Sequence, residues 1–143
     1  MRRGSRACGG LRWWSWRGPV NAEADRAAEE GRARIRALLA EFEEVDERVS
    51  HGEAAWFVRG RRQAAMFADR HHDGRVAVWI AAPPGVQEAL AAARPDRYFR
   101  PPYVGQRGWV GAWLDTDCDW DEIGGLLAMA VELARGRSSG RRR

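Results

Sequence analysis

Five arginines set in turns are the residues of this chain best suited to chemistry, and that chemistry is anion recognition. Arg59, Arg61 and Arg62 surround Gly60, a two-residue hairpin signal with Gly in the type II′ position. Arg100 and Arg107 flank Pro101-Pro102-Tyr103-Val104-Gly105-Gln106, a loop braced by two prolines. A guanidinium presents a planar fork of donors that matches a phosphate, or the O6/N7 edge of guanine, with two hydrogen bonds. Tyr98, Phe99 and Tyr103 add large rings beside these cations, and Arg70, His71, His72 and Arg75 flank a second hairpin that could act with the first as a pair of wings. Hairpin tips are also charged simply because they are wet, so the arginines alone do not make an interface.

A second constellation offers different chemistry. His51, Trp56, Tyr103, Arg107 and Trp109 could line a pocket where the Ser50-His51-Gly52 turn meets the loop 98–108. Trp and Arg are typical interface anchors. This alternative reading is a non-enzymatic module that binds a protein or a small ligand.

Catalytic signatures are lacking. The chain has no nucleophile elbow, no Gly-rich phosphate loop and no metalloprotease helix motif, and it reads as a non-enzyme without a cofactor. His51 could act as a general base, but a lone histidine before a glycine suits a turn hydrogen bond. Asp69, His71, His72 and Asp73 hold metal-ligating atoms, yet adjacent hairpin histidines point to opposite faces, so no metal site is expected. Cys118 sits among acids, which should raise its pKa and blunt it as a nucleophile.

Charge has to be partitioned before it means anything. The formal net charge is +4, and every one of the 24 basic residues is arginine. Residues 1–20 carry five arginines and residues 136–143 carry four, with no acid in either. The body, 21–135, has 15 arginines against 20 acids, a net of −5. Within it, 55–107 is +5, and it lies between 21–54 and 108–135, each −5. Any electrostatic argument for nucleic acid therefore rests on the middle segment or on the tails.

The elements that must position these residues follow from periodicity. Residues 1–20, with Trp13, Trp14 and Trp16 between Arg12 and Arg17, read as a disordered basic tail, and the composition break at Asn21 also suits a start at Val20. Residues 22–48 read as a helix, because Ile35, Leu38, Leu39, Phe42 and Val45 form one stripe. Ala54–Arg59, Arg62–Arg70 and a strand at Val76, Val78 and Ile80 alternate as a three-strand meander, with Asp73-Gly74 as a type I′ signal between the last two. Pro83-Pro84-Gly85 opens a short helix with Val86, Ala89, Leu90 and Ala93 inward. Trp109–Asp115 is a later strand: Trp109, Gly111 and Trp113 share one face, Val110, Ala112 and Leu114 the other. Asp119 caps a last helix, with Glu122 completing a capping box. Residues 136–143 are a second basic tail. This is an α+β fold: an antiparallel sheet with the N- and C-terminal helices on one face.

Several strings then match a known pattern. Ser50-His51-Gly52, Phe57 through Arg62, Pro83-Pro84-Gly85-Val86-Gln87-Glu88-Ala89-Leu90, Arg97-Tyr98-Phe99, Gly108-Trp109-Val110-Gly111, and Leu114-Asp115 followed by Asp119-Trp120 resemble the MmcQ/YjbR family over about residues 35–135. That resemblance implies a CyaY-like, or double-wing, fold and double-stranded DNA as partner. Relatives often carry Gly-Lys-Lys where this chain has Gly60-Arg61-Arg62, which keeps the charge. Two cysteines, Cys8 and Cys118, are too few for a disulfide framework, which points to the cytoplasm. No apolar run approaches the roughly 18 residues of a membrane span.

Overall fold

The computed structural model describes residues 18–70 and 73–136. Helix α1 (Gly18–Leu39) leads into four consecutive strands, β1 (Val45–Ser50), β2 (Glu53–Val58), β3 (Arg62–Asp69) and β4 (Val76–Ile80). Helix α2 (Val86–Ala93), strand β5 (Tyr98–Phe99), a 3₁₀ turn (Val104–Arg107), strand β6 (Val110–Trp113) and helix α3 (Trp120–Ala134) follow. The sheet is antiparallel, in the order β1-β2-β3-β4-β6-β5. None of the described helices is long and apolar enough to cross a membrane.

The first helix is shorter than its stripe suggests. It closes at Leu39, and the expected continuation to 48 becomes two turns and a strand. Phe42 N–H donates to Leu39 O at 3.1 Å and Val45 N–H to Phe42 O at 3.1 Å, so the apolar spacing persists after the helix has stopped. From Val45 the chain pairs with β2 over six positions, from Val45–Val58 to Ser50–Glu53. Val45 and Val49 are β-branched, and acids Glu41 to Glu47 would have opposed the dipole of a longer helix. The meander therefore has four strands, not three, and Tyr98-Phe99 adds an edge strand where a loop was expected.

Turn geometry departs from the sequence signals in two places. Arg59 and Gly60 both have positive φ, 55° and 65°, and Arg61 N–H donates to Val58 O at 3.0 Å. That is the sign pattern of type I′, not the type II′ turn with Gly60 first. Asp73-Gly74 is no two-residue turn: β3 and β4 pair out to Asp69–Val76, and Arg70 N–H to Arg75 O (3.0 Å) closes a longer loop. Asp73 instead accepts from Arg75 N–H at 3.0 Å. His71 and His72 lie outside the described residues.

Alternation sorts the sheet into two faces. Trp56, Val58, Phe67, Val78, Ile80, Val110 and Ala112 share the face that packs on Ile35 and Leu39 of α1 and Leu127, Ala130 and Val131 of α3, all buried. Gly31 lets α1 approach closely, since a Cβ there would lie 3.1 Å from Leu114. The opposite face carries Phe57, Met66, Trp79, Phe99 and Trp113. Asp119 caps α3 as expected, accepting from Glu122 N–H at 3.1 Å. The Glu122 carboxylate does not complete the box; it accepts from the Tyr98 hydroxyl at 2.5 Å and ties β5 to α3.

Candidate functional site

Antiparallel pairing gathers four chain segments at one end of the sheet: the β2–β3 turn, the exit from β4, the entry to β6, and the last turn of α3. Together they surround an open cavity of about 490 Å³. Arg61, Arg62, Gln63 and Arg107 contribute its polar groups; Phe57, Ala81, Ala82, Trp109, Leu133 and Ala134 contribute the apolar walls. A smaller hollow of about 160 Å³ adjoins it and adds Arg59 and Arg135.

The guanidiniums here are largely uncommitted. Arg61, Arg62 and Arg107 are exposed and form no ion pair among the described residues. Arg107 lies over the Trp109 ring at 5.4 Å, a cation–π contact that leaves its charge uncompensated. Arg59 approaches Glu44 at 4.0 Å, but that carboxylate is held at 2.7 Å by Arg135. The Arg135 hydrogen bond keeps Glu44 below the usual carboxylate range. Arg100 is exposed, and its stem covers Gly105 in the 3₁₀ turn that carries Arg107: a Cβ at Gly105 would sit 2.7 Å from Arg100 Cγ.

A residue without an assigned role in the sequence holds this turn. Gln87 is 3% exposed, and its amide donates to Gly105 O (2.9 Å) and Trp109 O (2.5 Å). The inward face expected from spacing, Val86, Ala89, Leu90 and Ala93, misses it: Ala89 and Ala93 are exposed, and Gln87 is the residue this helix buries.

At the loop between β3 and β4 the arginines are neutralised. Arg70 donates to Asp69 (2.5 and 3.1 Å) and to Asp25 (2.8 Å). Arg75 donates twice to Asp115, at 3.2 and 2.8 Å, and stacks over Trp113 at 4.2 Å. Burial pushes the Asp73 carboxyl up, but bonds from the Trp113 indole and the Arg75 amide outweigh it and the net shift is down.

The alternative constellation is dispersed. His51 occupies the β1–β2 turn, with the whole of β2 between it and the Arg59–Arg62 end. Trp56 is 2% exposed and faces the core. Tyr103 is 75% exposed, on a strained γ-turn: its φ is 64°, and Val104 N–H reaches back to Pro102 O at 2.6 Å. Of that set, Arg107 and Trp109 share a cavity.

Among the described residues, the other groups supply no comparable site. Among the described residues no cluster of three His, Cys, Asp or Glu side chains is placed to hold a metal. Burial, more than its acidic neighbours, pushes the Cys118 thiol up, and its S–H donates to Thr116 O at 3.3 Å. A cavity of about 590 Å³ beside α1 mixes Glu23, Glu30 and Asp115 with Arg34 and has no uniform charge.

Comparison with known proteins agrees with this architecture. No curated protein matches the chain. The crystal structure of Deinococcus radiodurans protein DR2400, which carries a DUF419 domain, superposes with a TM-score of 0.62 at 19% identity, covering 76% of this chain and 80% of that one. This likeness shows a shared fold. The family model described as YjbR matches residues 40–133, from the end of α1 to the last turn of α3. That match takes in more than half of the sequence, and the chain therefore belongs to the YjbR family.

Proposed function

We propose that this protein is a non-enzymatic, cytoplasmic DNA-binding protein that grips the duplex backbone through the β2–β3 hairpin end. The observation that carries this reading is the contrast between the two arginine-bearing loops. Arg70 and Arg75 spend their charge on Asp69, Asp25 and Asp115, whereas Arg61, Arg62 and Arg107 have no carboxylate partner among the described residues. Unpaired guanidiniums gathered at one end of a net-acidic body attract a polyanion there, while the acidic remainder repels it. Arg59 and Arg100 extend the surface on either side.

Duplex binding by the full chain, measured across a salt series, tests it. Arg61→Glu with Arg62→Glu should weaken binding sharply and flatten the salt dependence by about one unit of slope per lost phosphate contact. A third protein, with Arg137, Arg141, Arg142 and Arg143 changed to serine, reports on the C-terminal tail. If the tail variant loses binding while the hairpin variant keeps it, the hairpin reading is wrong. No binding by any of them below about 10⁻⁴ M, the weak end of non-specific affinity, would reject DNA as the partner.

A further inference from the structure

We propose that the cavity beneath the first hairpin is a binding site for a nucleotide phosphomonoester, either the terminal phosphate and base of a DNA strand or a free nucleotide. This inference rests on the reading that Arg61 and Arg62 contact phosphate.

Its shape distinguishes it from a backbone-gripping surface. A duplex backbone needs only exposed arginine tips, yet here the guanidiniums stand on the rim of a hollow of about 490 Å³ with an apolar wall at Ala82 and Leu133. That volume falls within the roughly 300–1,000 Å³ typical of small-ligand sites. Three cations drawn to one cavity without a carboxylate repel one another until an anion fills it. A phosphomonoester carries about −1.5 to −2 at pH 7 and three acceptor oxygens, against a single charge on a backbone phosphodiester, so it balances the rim better. Gln63 adds an acceptor to the lining: its amide N–H₂ donates to Ala65 O at 3.4 Å, which leaves its oxygen to accept from a donor such as an exocyclic base amine. Arg107 is held in place by its contact with Trp109, whose carbonyl is fastened by Gln87. The ligand class that satisfies rim, wall and acceptor together is a phosphate joined to a flat, amine-bearing ring.

Calorimetric titration of the full chain with deoxyadenosine 5′-monophosphate tests the assignment, alongside deoxyadenosine, inorganic phosphate, and duplexes with 5′-phosphate or 5′-hydroxyl overhanging ends. The expected result is one nucleotide per chain, no measurable binding of the nucleoside, weaker binding of phosphate alone, and a loss of about tenfold or more in Arg107→Gln. Tighter binding of the phosphorylated duplex than of the hydroxyl duplex identifies the strand end as the source. Equal duplex affinities together with nucleotide binding identify the free nucleotide. Duplex binding without any response to nucleotide or to the end phosphate overturns the inference and leaves the backbone-binding function standing. Nucleotide binding that Arg107→Gln leaves unchanged also overturns it, because the ligand then sits elsewhere. Silence toward both duplex and nucleotide rejects the two readings together.

Discussion

The ring of Phe99 lies directly over the Cα of Gly111, its cross-strand partner. A Cβ placed on Gly111 would stand 2.3 Å from Phe99 Cζ, and Phe99 is thereby free to stack on Trp113 with ring centroids 4.5 Å apart. Gly111 is thus a seat for an aromatic ring on the sheet face away from α1 and α3. Gly111→Ala should cost about 1–3 kcal/mol, the range for forcing extra volume into a packed site. Urea unfolding checks this, and adding Phe99→Ala to the same chain should cost less than the two changes summed.

Gln87 links the stability of α2 to the position of Arg107. Gln87→Leu keeps the volume but leaves Trp109 O without the donor it has now. The expected loss is about 1–3 kcal/mol, the desolvation penalty of one orphaned buried acceptor. Duplex affinity should fall in the same variant even where it remains fully folded, which a binding titration well below the unfolding midpoint would reveal.

Tyr103 is the reverse case, a residue whose backbone is under strain. Its φ of 64° in a γ-turn is disfavoured for an aromatic side chain. Strain of this kind costs about 1–3 kcal/mol, and glycine returns part of that through its freer unfolded chain. Tyr103→Gly is therefore expected to stabilise the fold by about 1 kcal/mol. A lower melting temperature in that variant would show that the tyrosine ring contributes more than its backbone costs.

Acid should loosen the joint between α1 and β1. Arg36 donates to both oxygens of Glu47, at 2.7 and 2.8 Å, and this bond holds the Glu47 carboxyl below its ordinary value. A depressed folded-state pKa means that the stabilisation is complete above the unfolded-chain value, about 4.3, and is lost as pH falls through the lower folded value. The stability gap between the parent and Glu47→Gln should thus be constant from pH 7 to about 5 and close below pH 4. Urea midpoints at successive pH values test it, and a gap that widens in acid would contradict the assignment.

Most of the secondary structure was legible in the chain because its cues are local. Alternation of Val76, Val78 and Ile80, Asp119 ahead of an apolar helix face, and Gly60 between arginines each act within a few residues. The same locality explains the errors. Phe42 and Val45 keep helical spacing past the helix end, and only pairing with Val58 across the sheet decides that Val45 is strand. Gly60 reads as the first turn residue because nothing local shows that Arg59 takes a positive φ as well.

For the site, residue types were set by the sequence and their electrostatic state by the fold. Arg59, Arg61, Arg62, Arg100 and Arg107 can be named from turn chemistry and charge, since a guanidinium keeps its charge in any setting. Arg70 and Arg75 look no different on paper, and only the tertiary structure sets Asp25, Asp69 and Asp115 against them. Antiparallel topology likewise brings Arg107 to Arg61 and Arg62 across more than forty residues of chain and parts His51 from Trp109. Separation in sequence carries no information about which ends of strands coincide; that is decided by how the strands pair, and pairing is settled by burial of the whole sheet face at once.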